Sequence, residues 1–234
     1  MFTAYAQPDK AKSQRVLEAF AAGCGGRMAS TTARELEPGP AAFYGVRYSY
    51  QHLWEQCLRE GREYFFVDNS YFDVSREVQF RVTRNRLQHT GRGESDGNRF
   101  AALDIKIKPM RTDGENVLVC GATPEFMEIV AKDPGWLDRV TRSLRRQYGA
   151  DRVIVRTKQD KRPLLADLER ARLLVTWGSA AAVTALLEGV PVACAPECCA
   201  TYAQDRAKWA GVLADQQFSL DEMRSGMAWS MLNG

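Results

Sequence analysis

The apolar positions of this chain alternate between short continuous runs and stripes at helical spacing, the signature of strands and amphipathic helices taking turns. "MFTAYA" reads as a strand, and "KAKSQRVLEAFAAGCGG" as a helix ended by its glycines. "AAFYGV" is a short buried strand, "YQHLWEQCLREG" a helix closed at Gly61, and "REYFFVDN" another buried strand, giving a βαβαβ unit. From Val78 to Arg111 the rhythm breaks: "FRVTR" is an arginine-rich strand, "GRGESDGN" a loop and "RFAALDIKIKPM" an extended connection. A second series then begins, with strand "NVLVCG", helix "PGWLDRVTRSLRRQYG" and strand "RVIVRT". It continues through the short helix "LLADLERA", strand "RLLVTW", helix "SAAAVTALLEG" and strand "VPVACA". The closing "DQQFSLDEMRSGMAWSML" starts a helix at Ser219, with Asp221 and Glu222 completing a capping box.

Strands joined by helices in this way place both halves in the α/β class, as two small Rossmann-like lobes of residues 1–108 and 109–234. Ligands of such sheets bind outside the carboxyl ends of the strands. The hinge Trp177-Gly178-Ser179 falls where a buried strand meets a helix, a place where backbone N–H groups and the helix dipole favour an anion. Ser179 reads either as a plain N-cap or as an N-cap that also donates to a phosphate oxygen. Arg156 and Lys158 end the neighbouring strand, with Lys161 and Arg162 beyond, so cations and hinge can converge on one diphosphate.

Composition limits the function classes. A chain of 234 residues, 45% apolar, buries a real core. It holds no apolar run of the roughly 18 residues a membrane span needs, and "MFTAYAQPDK" lacks the build of a signal peptide. The expectation is a cytoplasmic protein with no membrane partner. The six cysteines lack paired zinc-ligand spacing and read as reduced thiols, and no metal site is expected. The lone histidines His52 and His89 read as structural. The net charge of +3 conceals two basic segments: residues 76–111 carry nine Lys or Arg against four acids, and 139–162 carry nine against two. Such segregation suits a surface that meets phosphates.

Asp68 leaves the apolar strand "YFFVDNS" at its carboxyl end, where an acid can serve as a general base or simply cap a turn; Asp73 is the reserve. Nearby, Arg81 and Arg84 stand among the aromatics Tyr71, Phe72 and Phe80. That combination holds a sugar or nucleic-acid acceptor, or else covers an aromatic core.

The pattern "LLVTWGSAAAVTALLEGVPV" resembles the donor-binding half of GT-B-type glycosyltransferases, especially capsule-type and phage-encoded ones. "FVDNSYFD", "FRVTRNRLQ" and "QFSLDEMRSGMAW" are similar to the phage group, in the same order along the chain. The resemblance implies a nucleotide-sugar as co-substrate, with no firmly bound cofactor and no metal. It places Gly178, Ser179 and Ala180 with Arg156 and Lys158 at the donor, and sends a C-terminal helix back across the first lobe. Many GT-B enzymes carry a glutamate five residues before the helix-ending glycine; here that position is Thr184. With the basic segments, the resemblance suggests DNA bearing a hydroxylated base as acceptor. A non-catalytic module that binds a nucleotide or nucleic acid stays open, as does a sugar-nucleotide epimerase or hydrolase.

Overall fold

The computed structural model describes residues 1–72, 78–195 and 197–233. Along the chain run β1 (Thr3–Ala6), α1 (Ala11–Gly23), β2 (Arg27–Ser30), β3 (Ala41–Tyr44), α2 (Gln51–Arg59), β4 (Tyr64–Asn69) and β5 (Gln79–Arg84). There follow α3 (Asn98–Ala101), β6 (Asn116–Cys120), α4 (Pro124–Ile129), α5 (Trp136–Tyr148), β7 (Val153–Arg156), α6 (Leu164–Leu168) and β8 (Ala171–Thr176). The chain ends with α7 (Ala181–Leu187), β9 (Val192–Cys194), α8 (Arg206–Ala214), β10 (Gln217–Ser219), α9 (Leu220–Arg224) and α10 (Met227–Asn233). Among the described residues no helix is long and apolar enough to cross a membrane.

The chain divides into two compact units, residues 1–88 with 215–234, and residues 89–214. The sequence suggested a division at 108/109. The segment just before that point is tied instead to the second unit, where Lys108 N–H donates to Leu187 O at 2.8 Å and Arg111 N–H to Gly189 O at 2.7 Å. Gly189 permits this lacing: its φ is +78°, and a Cβ there would stand 2.0 Å from Pro109 O.

The first unit is a sheet of order β10-β5-β4-β3-β1-β2, in which β2, β1, β3 and β4 run parallel and β5 and β10 antiparallel to their neighbours. Alternation along β4 decides its faces. Phe65 and Val67 pack with Phe20 of α1 in one core cluster, while Phe66 meets Trp54 of α2 on the other side, at 5.7 Å between ring centroids. The C-terminal segment returns to this unit, as the sequence suggested. Its Trp229 packs 5.1 Å from the Phe65 ring, and Met223 O lies so near Gly23 that a Cβ there would come within 1.8 Å. The capping box at Ser219 is formed, with Glu222 N–H on the serine hydroxyl at 3.2 Å and Ser219 N–H on the Glu222 carboxylate at 2.7 Å. The helix it starts is broken into α9 and α10 at Gly226, φ +83°.

The second unit is a four-stranded parallel sheet of order β7-β6-β8-β9. Side chains of α5, among them Leu137, Val140 and Leu144, cover one face over Val117 and Val119. Leu168 of α6 with Ala182 and Ala185 of α7 covers the other, over Leu118 and Leu174. The chain leaves β6 toward β7 on one side and then crosses to β8 on the other. The β6/β8 boundary is therefore the switch point, outside whose strand ends ligands of such sheets bind.

Candidate functional site

In the second unit, Cys120 stands in register with Arg156 on one side and Thr176 on the other, so the carboxyl ends of β6, β7 and β8 share one edge. Thr176 fastens the switch point. Its hydroxyl donates to Cys120 O at 2.8 Å and accepts Ser179 N–H at 3.0 Å, and it is fully buried. Ser179 Oγ in turn accepts the Ala181 N–H at 3.2 Å, which leaves its own proton to donate. Ala180 is the N-cap of α7, already in helical conformation. Gly178 faces the ring of Phe126, 3.7 Å from where a Cβ would stand, and Phe126 meets Trp177 edge to face at 5.4 Å. The hinge is thus a braced turn beside an aromatic pair.

Arg156 and Lys158 part company. Arg156 Nη1 donates to Asp167 Oδ2 at 2.6 Å and Nη2 to the Arg162 carbonyl. Arg162 reaches the other Asp167 oxygen at 3.2 Å. Asp167 is 7% exposed, so the guanidinium of Arg156 is held at the edge by a buried carboxylate. Lys158 lies exposed on the following turn, without an ion-pair partner among the described residues. That turn is closed by Asp160, which accepts Thr157 N–H at 2.8 Å and its hydroxyl at 3.1 Å; these bonds hold the Asp160 carboxyl below its usual range.

In the first unit the switch point lies between β1 and β3, and Asp68 ends the strand beyond, on the α2 face. Its Oδ2 accepts Arg81 Nη2 at 2.6 Å and its Oδ1 accepts Asn69 N–H at 2.8 Å. The Arg81 guanidinium also donates to Asn69 O at 3.2 Å and lies 5.1 Å over the Tyr71 ring. Arg81 is 5% exposed and Tyr71 2%. Both were expected to face an acceptor; they are turned inward, because the β4–β5 hairpin sets Asp68 directly opposite Arg81. Arg84 is exposed but stands at the other end of β5, where it bonds Glu63 and donates to Leu232 O at 3.3 Å. Asp68 itself keeps 26% of its side chain exposed. The buried hydroxyl of Tyr50 has no hydrogen-bond partner among the described residues; burial, and then the charge of Asp68, push its pKa well above the ordinary value. Asp73 lies outside the described residues.

Two groups escaped the sequence reading. At the ends of β3 and β4, Lys12 Nζ at 2.6 Å and the Tyr44 hydroxyl at 3.0 Å both donate to Asn69 Oδ1. The available signal was a lysine in the first turn of the helix that follows β1. Thr123, N-cap of α4, accepts Phe126 N–H at 3.3 Å and ends the loop leaving β6; "ATPEF" carried that signal in its Thr-Pro pair. Both histidines bond backbone groups: His52 Nε2 bonds Ala33 O at 2.8 Å, and His89 Nδ1 accepts Gly91 N–H at 3.2 Å. Among the described residues no three His, Cys, Asp or Glu side chains gather to hold a metal ion.

These two units, one a mixed and one a parallel sheet, with a braced strand-to-helix turn at the second switch point, define a Rossmann-like α/β protein with a fold of the kind found in glycosyltransferases. Solved structures similar to the chain include two from Thermosulfurimonas dismutans. One is a KpsC β-Kdo 2,7-transferase, with 12% identity and a TM-score of 0.55 over 99% of this chain and 98% of that one. The other is a KpsC β-Kdo 2,4-transferase, with 10% identity and a TM-score of 0.54 over 91% and 89%. No protein-family model and no curated sequence matches the chain.

Proposed function

We propose that the chain is a glycosyltransferase of the GT-B type that moves a sugar from a nucleotide-sugar to an acceptor hydroxyl without a bound metal. The observation that carries this reading is the fold, shared over nearly the whole chain with two sugar transferases. Departure of a nucleoside diphosphate needs fixed donors where negative charge develops. The hydroxyl of Ser179, the backbone of the 178–180 turn, Lys158 and Arg156 form that set, with Asp167 keeping Arg156 in place. An uncharged partner for the base or sugar is available in the Phe126–Trp177 pair. Asp68 takes the acceptor proton, and Arg81 fixes the orientation of its carboxylate.

The finer reading of the acceptor is DNA with a hydroxylated base, supported by the basic segments. A non-catalytic nucleotide-binding module is the second reading, favoured by the ion pair that engages Asp68. Transfer assays read by mass spectrometry decide between them, with a panel of nucleotide-sugars, activated Kdo included, and hydroxymethylated DNA among the acceptors. Sugar transfer to any acceptor supports the enzyme. Binding of a nucleoside diphosphate with neither transfer nor donor hydrolysis supports the module, and absence of nucleotide binding refutes both.

A further inference from the structure

From the solvent face of α5 and the amino edge of the second sheet we infer a docking surface for the phosphate backbone of duplex DNA. Pairing within the fold accounts for much of the basic charge. Arg139 bonds Asp133, Arg156 and Arg162 share Asp167, Arg81 bonds Asp68, Arg84 bonds Glu63 and Lys108 bonds Glu188. Of the arginines without a carboxylate partner among the described residues, five lie together on this unit. Arg142, Arg145 and Arg146 are exposed at i, i+3 and i+4 on α5, about 5–6 Å apart on one helix face. Arg152 is exposed just before β7, and exposed Arg172, near the start of β8, lies 5.4 Å over the ring of Tyr148, the last residue of α5. From 139 to 156 the only acid is Asp151. The helix dipole favours cations in the last turn, which accounts for Arg145 and Arg146 but not for Arg142, Arg152 and Arg172.

The chemistry of the patch selects its partner. Guanidinium groups hold phosphates in bidentate fashion, and a duplex offers one charge per about 1.7 Å of axis. An anionic membrane would be gripped by apolar wedges beside the cations. None of the exposed large apolar residues of this unit (Met110, Leu165 and Tyr202) belongs to α5 or its neighbouring strand starts. A single strand would want an open aromatic platform for its bases, and the one ring in the patch is covered by Arg172. A surface of charge alone fits backbone contact without sequence choice. It stands on the sheet edge opposite the donor turn, so it docks rather than reacts.

The inference deepens the acceptor side of the proposed function, and its test uses no nucleotide-sugar, so it fails or stands independently of transfer. Fluorescence anisotropy of the full chain with a labelled 20-base-pair duplex is followed across salt. Five phosphate contacts give a slope of log K against log salt of about −4.5, roughly a 500-fold loss between about 50 and 200 mM. The variant Arg142→Ser/Arg145→Ser/Arg146→Ser should lower the steepness by about 2.7. The control Arg34→Ser/Arg59→Ser/Lys106→Ser removes the same charge from other exposed positions and should leave the slope unchanged. The proposal is overturned by absence of duplex binding at low salt or by an equal effect of the control. Tighter binding of single strands, or capture by phosphatidylserine vesicles without duplex binding, also overturns it.

Discussion

Replacing Asp68 with Asn keeps the side chain's size and the acceptor for Asn69 N–H, but leaves the guanidinium of Arg81 without its counter-charge. Arg81 is the buried partner, with 6% of its side chain exposed against 26% for Asp68. Breaking a fully buried pair costs about 3–5 kcal/mol. The partial exposure of the carboxylate and the Tyr71 ring beneath the guanidinium reduce this to about 1–3 kcal/mol, the range of a charged hydrogen bond. For a chain of this size that is a fall in Tm of roughly 2–4 °C per kcal/mol. The assay is a double-mutant cycle by urea denaturation, with Asp68→Asn, Arg81→Met and the pair. The double variant should be less destabilised than the sum of the singles by at least about 1 kcal/mol, because removing both charges leaves nothing buried and unpaired. A coupling near zero would refute the reasoning, since Arg81 would then be held by the Tyr71 ring and the Asn69 carbonyl alone. In a transfer assay the same variants divide the roles. Asp68→Asn should lower turnover by roughly 10²–10⁴ with donor affinity unchanged, and Arg81→Met should lower turnover by less, as expected of a group that only orients the base.

At the donor edge, Lys158→Ala should weaken binding of a nucleoside diphosphate about tenfold with Tm unchanged, as its side chain is exposed. Arg156→Ala should lower Tm as well, because Asp167 stays buried with only Arg162 beside it; equal Tm values for the two variants would contradict the pairing. Gly91→Ala should cost at least about 1–3 kcal/mol, since φ is +80° and the new Cβ would lie 2.1 Å from Trp209 Cδ1. An unchanged urea midpoint would show that the contact yields freely. Burial pushes the Cys57 thiol up to about 11 and that of Cys120 to about 12, against 9.0 in the unfolded chain. A raised folded pKa means stability fully present below pH 9 and lost as pH rises toward 12. The fall in urea midpoint from about pH 8 to 10.5 should be smaller in Cys120→Ala, and an unaltered fall would refute the assignment.

The parts of the fold legible in the sequence are those written locally. Buried runs such as "YFFV" and "LLV" announce strands wherever they fall, and Ser219 with Glu222 specifies its own cap within four residues. The parts missed depend on a neighbour. β2, "RMAS", carries no apolar run because it is an edge strand with exposed and half-exposed side chains, and it exists only by pairing with β1. β10 is three residues long and is a strand only because β5 offers an open edge. In α8 the run from Trp209 to Ala214 is buried throughout, so it shows no polar stripe by which helical period could be read.

The site divides along the same line. The strand-end rule places Asp68 and Arg156 at carboxyl edges and Ser179 just beyond one, and they are there, while Thr176, which braces the turn, was not read from the sequence. It cannot say which of them a ligand meets first. Asp68 is answered by Arg81, 13 residues on, and Arg156 by Asp167, 11 residues on. Both partners are fixed by tertiary packing rather than by spacing. Cation count therefore overstates the charge open to a ligand. Arg156, counted for the diphosphate, shares its charge with a buried acid, while Arg142, Arg145 and Arg146, which the same count treats alike, have none. Within the second sheet, subtracting the pairs leaves open charge at both ends of the strands: Lys158 and Lys161 beside the hinge turn, and the arginines of α5 at the far end. On the proposed reading, the small charged donor and the large charged acceptor meet opposite ends of this sheet, and the internal pairing of Arg156 with Asp167 keeps the charge at the donor end smaller than a cation count suggests.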